Sequence, residues 1–257
     1  MKVTRLAILA VALLLAISVA ASATGRYELT LLNNSQYYPS YNGTIWTSQY
    51  QSKSVAIGPV YIQVYDTITE AISYTNMLCI DLNGTINWGT TWTADYVTGM
   101  PTTVVNSTAW DRVIYMTQNH QEWRDEGSAN DSTALKQQKS AMQVAVWETI
   151  TDGSSWNIDK SFSMGGFALG NISGDYTGSI RTGIETYAES YYNDALANAT
   201  AGYGSNYGYY LADDASRQDL MFFVPNYGPP VPEVPTMLLG SLGLTLIGAI
   251  KRKIGKG

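Results

Sequence analysis

Charge is scarce in this 257-residue chain: Asp, Glu, Lys and Arg together make up 14%, against about a quarter in an ordinary globular protein. What charge there is leans acidic. The formal net charge is −6, and basic residues cluster at the two ends. Without residues 1–23 and 231–257, 9 basic and 20 acidic groups remain, or −11. Nucleic acid is thereby excluded as a partner, because phosphate contacts need clustered Lys and Arg. A single Cys excludes an intrachain disulfide and a Cys-based zinc cluster, and a single His excludes a multi-His metal site. No GxGxxG, P-loop or EF-hand spacing occurs, so neither cofactor nor metal is expected. Phe is rare, with 4 residues against 19 Tyr and 7 Trp. Tyr and Trp join an apolar body to a polar handle, which suits wet sheet faces and binding surfaces. The hydrophobic share of 45% is ordinary, so the chain can build a sizeable core.

Both ends read as addresses. Met1-Lys2-Val3-Thr4-Arg5 is a basic start, Leu6 to Val19 is an uncharged apolar run, and Ala20-Ala21-Ser22-Ala23 offers small residues for cleavage. Residues 1–23 therefore read as a secretory signal peptide. At the other end, Pro225, Pro229, Pro230, Pro232 and Pro235 make residues 225–235 an extended linker. Residues 236–257 hold a short apolar segment, Met237 to Ile250, stopped by Lys251-Arg252-Lys253. Cations in that position stay cytoplasmic, so the segment reads as a membrane anchor. Val231-Pro232-Glu233, the Gly-rich apolar segment and the basic end resemble the PEP-CTERM sorting signal that exosortases process in bacterial envelopes, with Val234 interrupting the family's Pro-Glu-Pro. The resemblance implies a sorting protease as a partner. Residues 24–224 are expected outside the cytoplasm, at the cell envelope or surface.

Between the ends the pattern changes twice. Arg26 to Leu31 alternates with period two, Ser54 to Ile72 is rich in Val, Ile, Tyr and Thr around Gly58-Pro59, and Asn76 to Leu82 is an apolar run before Asn83-Gly84. These read as strands. Trp110, Val113, Ile114 and Thr117 then fall at helical spacing, with Ser107 or Thr108 as N-cap. Ser132 caps a second helix carrying Leu135, Met142, Val146 and Ile150, and a third spans about Ser179 to Asn198. Residues 152–178 read as a polar loop between them. Tyr207 to Leu211 and Asp219 to Val224 return to strand character. The expected fold is α+β: a β-sandwich or barrel-like sheet with an inserted section of about three helices.

One constellation carries chemistry. Met77-Leu78-Cys79-Ile80-Asp81 puts the thiol in a buried strand. Sixty-four residues later, Ala141-Met142-Gln143-Val144-Ala145-Val146-Trp147 puts a glutamine inside an apolar helix. A buried amide left unpaired is costly, so a specific partner must satisfy or consume it. Taken singly, each residue has a plainer reading. Cys79 is a small buried hydrophobe, and Gln143 faces solvent or bonds a strand carbonyl. Asp81 orients the thiol or amide, or caps the turn before Asn83-Gly84. His120 lies in a polar helix end, Gln118-Asn119-His120-Gln121-Glu122, and reads as solvated. Glu122, Asp125, Glu126, Asp131, Asp213 and Asp214 are acidic groups of solvated faces, with glycoside cleavage or weak calcium binding as the lesser readings.

Leu78-Cys79-Ile80-Asp81 and Gln143-Val144-Ala145-Val146-Trp147, in that order, resemble the Cys–Gln thioester domains of bacterial surface adhesins. Trp110 to Tyr115 is similar to that family's helix before its glutamine. The resemblance spans roughly residues 60–224. It implies an internal thioester between Cys79 and Gln143, with Leu78, Ile80, Asp81, Met142, Val146 and Trp147 as its supporting shell. It further implies one-shot capture of an amine-bearing surface or matrix polymer through an isopeptide-type bond, without enzymatic turnover. The rival expectation is a noncovalent structural or glycan-binding envelope protein in which Cys79 is a core residue.

Overall fold

The computed structural model describes residues 27–32, 41–48, 51–82, 89, 91–101, 104, 106–124, 131–152, 156, 167–212 and 219–223. The expected signal peptide (1–23), linker (225–235) and C-terminal anchor segment (236–257) lie outside the described residues. Among the described residues, no helix is long and apolar enough to cross a membrane.

Among the described residues the fold is α+β, with a closed six-stranded antiparallel barrel, a second sheet of three strands and three helices. The barrel runs β1 (Tyr27–Leu31), β4 (Val60–Asp66), β5 (Ile72–Cys79), β9 (Leu220–Phe222), β8 (Gly208–Ala212) and β6 (Thr91–Thr98), which pairs back to β1. Alternation sets the inner face: Tyr27, Leu29 and Leu31 are buried while Glu28 is exposed. Tyr27 meets Tyr210 edge to face, with ring centroids 4.7 Å apart.

The second sheet orders β3 (Gln51–Ile57), β2 (Tyr41–Ser48) and β7 (Ala168–Ile172). β7 corrects the expectation of an unbroken loop over 152–178. Its Gly170 packs so closely on β2 that a Cβ there would lie 2.7 Å from the Thr44 carbonyl oxygen, and that missing side chain hides the strand from a propensity reading. The long strand-like run Ser54 to Ile72 divides into β3 and β4 at Gly58-Pro59, and the hairpin turn 67–71 follows β4.

The helices are α1 (Ser107–Asn119), α2 (Thr133–Asp152) and α3 (Ser179–Asn198). Trp110, Val113, Ile114 and Thr117 form the buried stripe of α1. Its N-cap is Asn106, whose side-chain oxygen accepts the Ala109 N–H at 2.8 Å. Ser107 and Thr108 instead sit inside the first turn, because Asn106 is the last residue with extended backbone. Ser132 caps α2 by accepting the Leu135 N–H at 3.2 Å. Residues 139–150 of α2 are buried all round, because α1 and α3 pack on it from outside and the strands lie beneath.

Candidate functional site

β5 changes character along its length. Ile72, Ser73 and Tyr74 are exposed, whereas Asn76, Met77, Leu78 and Cys79 are all buried. α2 and the 3-10 turn Glu122–Arg124 pack against this strand, and the Asn76 side-chain amide donates to the Trp123 carbonyl at 2.8 Å.

The two edges of β5 at Cys79 are unequal. On one edge β9 sets Met221 opposite Leu78 and Leu220 opposite Cys79. Just beyond, the Ile80 N–H donates to the Asp219 carbonyl at 3.0 Å. In an antiparallel ladder adjacent residues bond to opposite sides, so the N–H and C=O of Cys79 point to the other edge. There β4 reaches only to Val60, opposite Met77. Continuing that register would bring Gly58 opposite Cys79. Gly58 has φ 147°, a left-handed-side conformation that favours glycine, and turns the chain away. Pro59 has no N–H to donate. On that edge the backbone of Cys79 is thus left without a strand neighbour.

Gln143 takes that place. The Cys79 N–H donates to Gln143 Oε1 at 2.9 Å, and Gln143 Nε2 donates to the Cys79 carbonyl at 2.8 Å. The side-chain amide acts as one residue of a missing strand. Gln143 is 0% exposed and Cys79 4%. One helical turn earlier, Ser140 Oγ donates to the Ile57 carbonyl at 2.7 Å, which ties α2 to the end of β3. Burial pushes the Cys79 thiol well above its ordinary range, and the charge of Asp81 adds to the effect. The sulfur is therefore held as a neutral thiol.

Of the expected shell, Leu78, Ile80, Met142, Val146 and Trp147 are all buried. Met142, Val146 and Trp147 flank Gln143 on α2. Leu78 and Ile80 alternate to the opposite face from the Cys79 side chain, so they shield the strand rather than the sulfur. Asp81 is half-exposed. Its charge acts on the thiol, and residues 83–88, where it would cap a turn, lie outside the described residues.

His120 is not simply solvated. It closes α1, its Nε2 lies 2.9 Å from Asp194 Oδ2, and its ring packs 4.5 Å from Tyr191. Asp131 pairs with the buried Lys139 at 2.8 Å. Asp125, Glu126, Asp213 and Asp214 lie outside the described residues. Among the described residues, no group of three His, Cys, Asp or Glu side chains is placed to hold a metal ion. Sequence reading misses Ser140 and the part played by Gly58-Pro59. The signal is present as a Gly-Pro break one strand before the thiol, but only the register shows what the break exposes. No family model, curated protein or solved structure matches this chain.

Proposed function

We propose that this chain is an exported, envelope-tethered surface protein that stores a Cys79–Gln143 thioester and uses it for covalent capture of an amine-bearing surface or matrix polymer. The observation that carries this reading is the reciprocal pair of hydrogen bonds between the Gln143 amide and the backbone of the residue that bears the thiol.

The hydrogen bonds at the junction support formation of the thioester. The Cys79 N–H on Gln143 Oε1 polarises the amide carbonyl and stabilises negative charge as it develops on that oxygen. The sulfur attacks the side-chain carbon, a C–S bond forms and the C–N bond breaks. The thiol proton leaves with the amide nitrogen as ammonia. No external base is consumed, which suits a thiol that burial keeps protonated. The surrounding apolar side chains exclude water, which would hydrolyse the product. A primary amine of the target then attacks the same carbon. A C–N bond forms, the C–S bond breaks, and a proton from the amine returns to sulfur. The reaction runs once per chain.

The test is mass measurement of the purified protein beside Cys79→Ala and Gln143→Ala. The native chain is expected to be short by one ammonia, to gain methylamine at Gln143, and to lose both properties in each variant. A full native mass with Gln143 intact and no methylamine uptake would rule out the thioester. Hydrolysis of a thioester during purification gives a different product, Glu at position 143, which peptide mapping distinguishes from intact Gln.

A further inference from the structure

A second site lies on the outer helical face, where α1 and α3 end beside the 3-10 turn Tyr203–Asn206. Three tyrosine rings adjoin there. Tyr115 and Tyr203 have centroids 5.3 Å apart, and Tyr203 and Tyr207 5.1 Å. Each packs one side on the core and remains half-exposed. The rings are fixed before any ligand arrives. The buried Asp111 carboxylate accepts the N–H groups of Gly202 at 2.8 Å and Gly204 at 2.7 Å, so it holds the backbone on both sides of Tyr203. The Tyr203 and Tyr207 hydroxyls lie 3.1 Å apart, and Asn119 Nδ2 donates to Tyr203 at 3.2 Å. Asp194, whose negative charge reaches the Tyr115 hydroxyl, meets Asn198 Nδ2 at 2.8 Å and His120 at 2.9 Å.

The remaining hydrogen-bond capacity defines the ligand. Asn119 and Asn198 are exposed, and both engage their Nδ2 groups within the protein, leaving carbonyl oxygens to accept from outside. The Tyr203–Tyr207 pair shares one proton between its oxygens and so keeps one hydroxyl proton to donate. Aromatic faces, amide acceptors and a phenolic donor together match a ligand with C–H faces and many hydroxyls. The tyrosine and amide groups carry no positive charge, and Asp194 adds a negative one, so an anionic polymer is disfavoured. We propose that this face binds neutral oligosaccharide, with Tyr115, Tyr203 and Tyr207 as its stacking platform. Preorganised rings lose little rotamer freedom on binding, which favours affinity from a shallow surface.

The test is affinity electrophoresis of the purified chain in native gels containing dextran, hydroxyethylcellulose or neutral xylan, with alginate as the anionic comparison. It is run on the native chain and on Cys79→Ala, so that covalent capture cannot contribute. Retardation is expected in at least one neutral polymer, equal in both proteins. Tyr203→Ala and Asn119→Ala are each expected to weaken it about tenfold, with melting curves confirming that both variants fold. Asn119 is exposed, so its variant remains informative if Tyr203→Ala is unstable. Three outcomes would overturn the proposal: no retardation in any neutral polymer, stronger retardation in alginate, or unchanged retardation in Asn119→Ala.

Discussion

The Cys79–Gln143 junction and the tyrosine face are built from similar parts under opposite solvent conditions. At the junction, the Cys79 N–H and C=O and the Gln143 amide pair with one another, and both residues are buried. On the tyrosine face, amides and hydroxyls also pair, but exposed Asn119 and Asn198 keep acceptor capacity that water can fill. Burial makes pairing compulsory and so leaves one geometry. Exposure makes pairing optional and leaves valence for a partner. The junction is therefore suited to a reaction within the chain, and the face to reversible binding from outside.

That contrast can be broken most severely at Gln143. With Cys79→Ala as the background, so that no crosslink contributes, Gln143→Leu strands two buried backbone groups of residue 79. At about 1–3 kcal/mol for each, urea denaturation should show a loss of roughly 2–6 kcal/mol. A loss below about 0.5 kcal/mol would mean that the amide is not needed to close the strand edge.

Gln143→Glu in the same background sharpens the point through pH. A neutral carboxyl can both accept from the N–H and donate to the C=O, whereas a carboxylate can only accept. Burial raises the folded-state pKa of this new group above its unfolded value of about 4.3. Its stability is then fully present below about pH 4 and declines as pH rises, by about 1.4 kcal/mol per unit until the group ionises in place. Melting temperatures of this variant should fall from pH 4 to 7 relative to the Gln143 protein. A parallel pair of curves would show that position 143 meets water.

Smaller effects follow outward. Ser140→Ala removes the hydroxyl bond to the Ile57 carbonyl beneath α2 and should cost about 0.5–1.5 kcal/mol in the same urea assay. Tyr203→Phe and Asn119→Ala should each change stability by no more than about 0.5 kcal/mol, while Asn119→Ala weakens polysaccharide retardation. If either proved as costly as Ser140→Ala, the face would be a structural seam.

Much of this organisation is legible in the chain. The period-two run at Arg26 to Leu31 becomes β1, the buried stripe of α1 follows its helical spacing, and α3 occupies the expected Ser179 to Asn198. The strands β2, β6 and β7 escape such a reading. β2 and β7 contain glycines at close crossings, and the interior of β6 has only Trp92 and Ala94 buried outright, so neither apolar content nor alternation stands out. The polar neighbours of His120 in sequence suggest a solvated ring. Its partners Asp194 and Tyr191 come from a helix more than seventy residues away.

Local sequence is enough to bury Cys79 and Gln143, because apolar flanks drive both segments out of water whatever their neighbours in space. Composition is likewise enough for the acidic, Tyr-rich character of the chain. That the two residues meet is a property of the assembled fold. It depends on β4 starting at Val60, on the turn at Gly58-Pro59 and on the register of β9. A backbone edge is open only relative to the strands that fail to reach it, and the unpaired N–H and C=O of Cys79 then select the one side chain on α2 that can answer both.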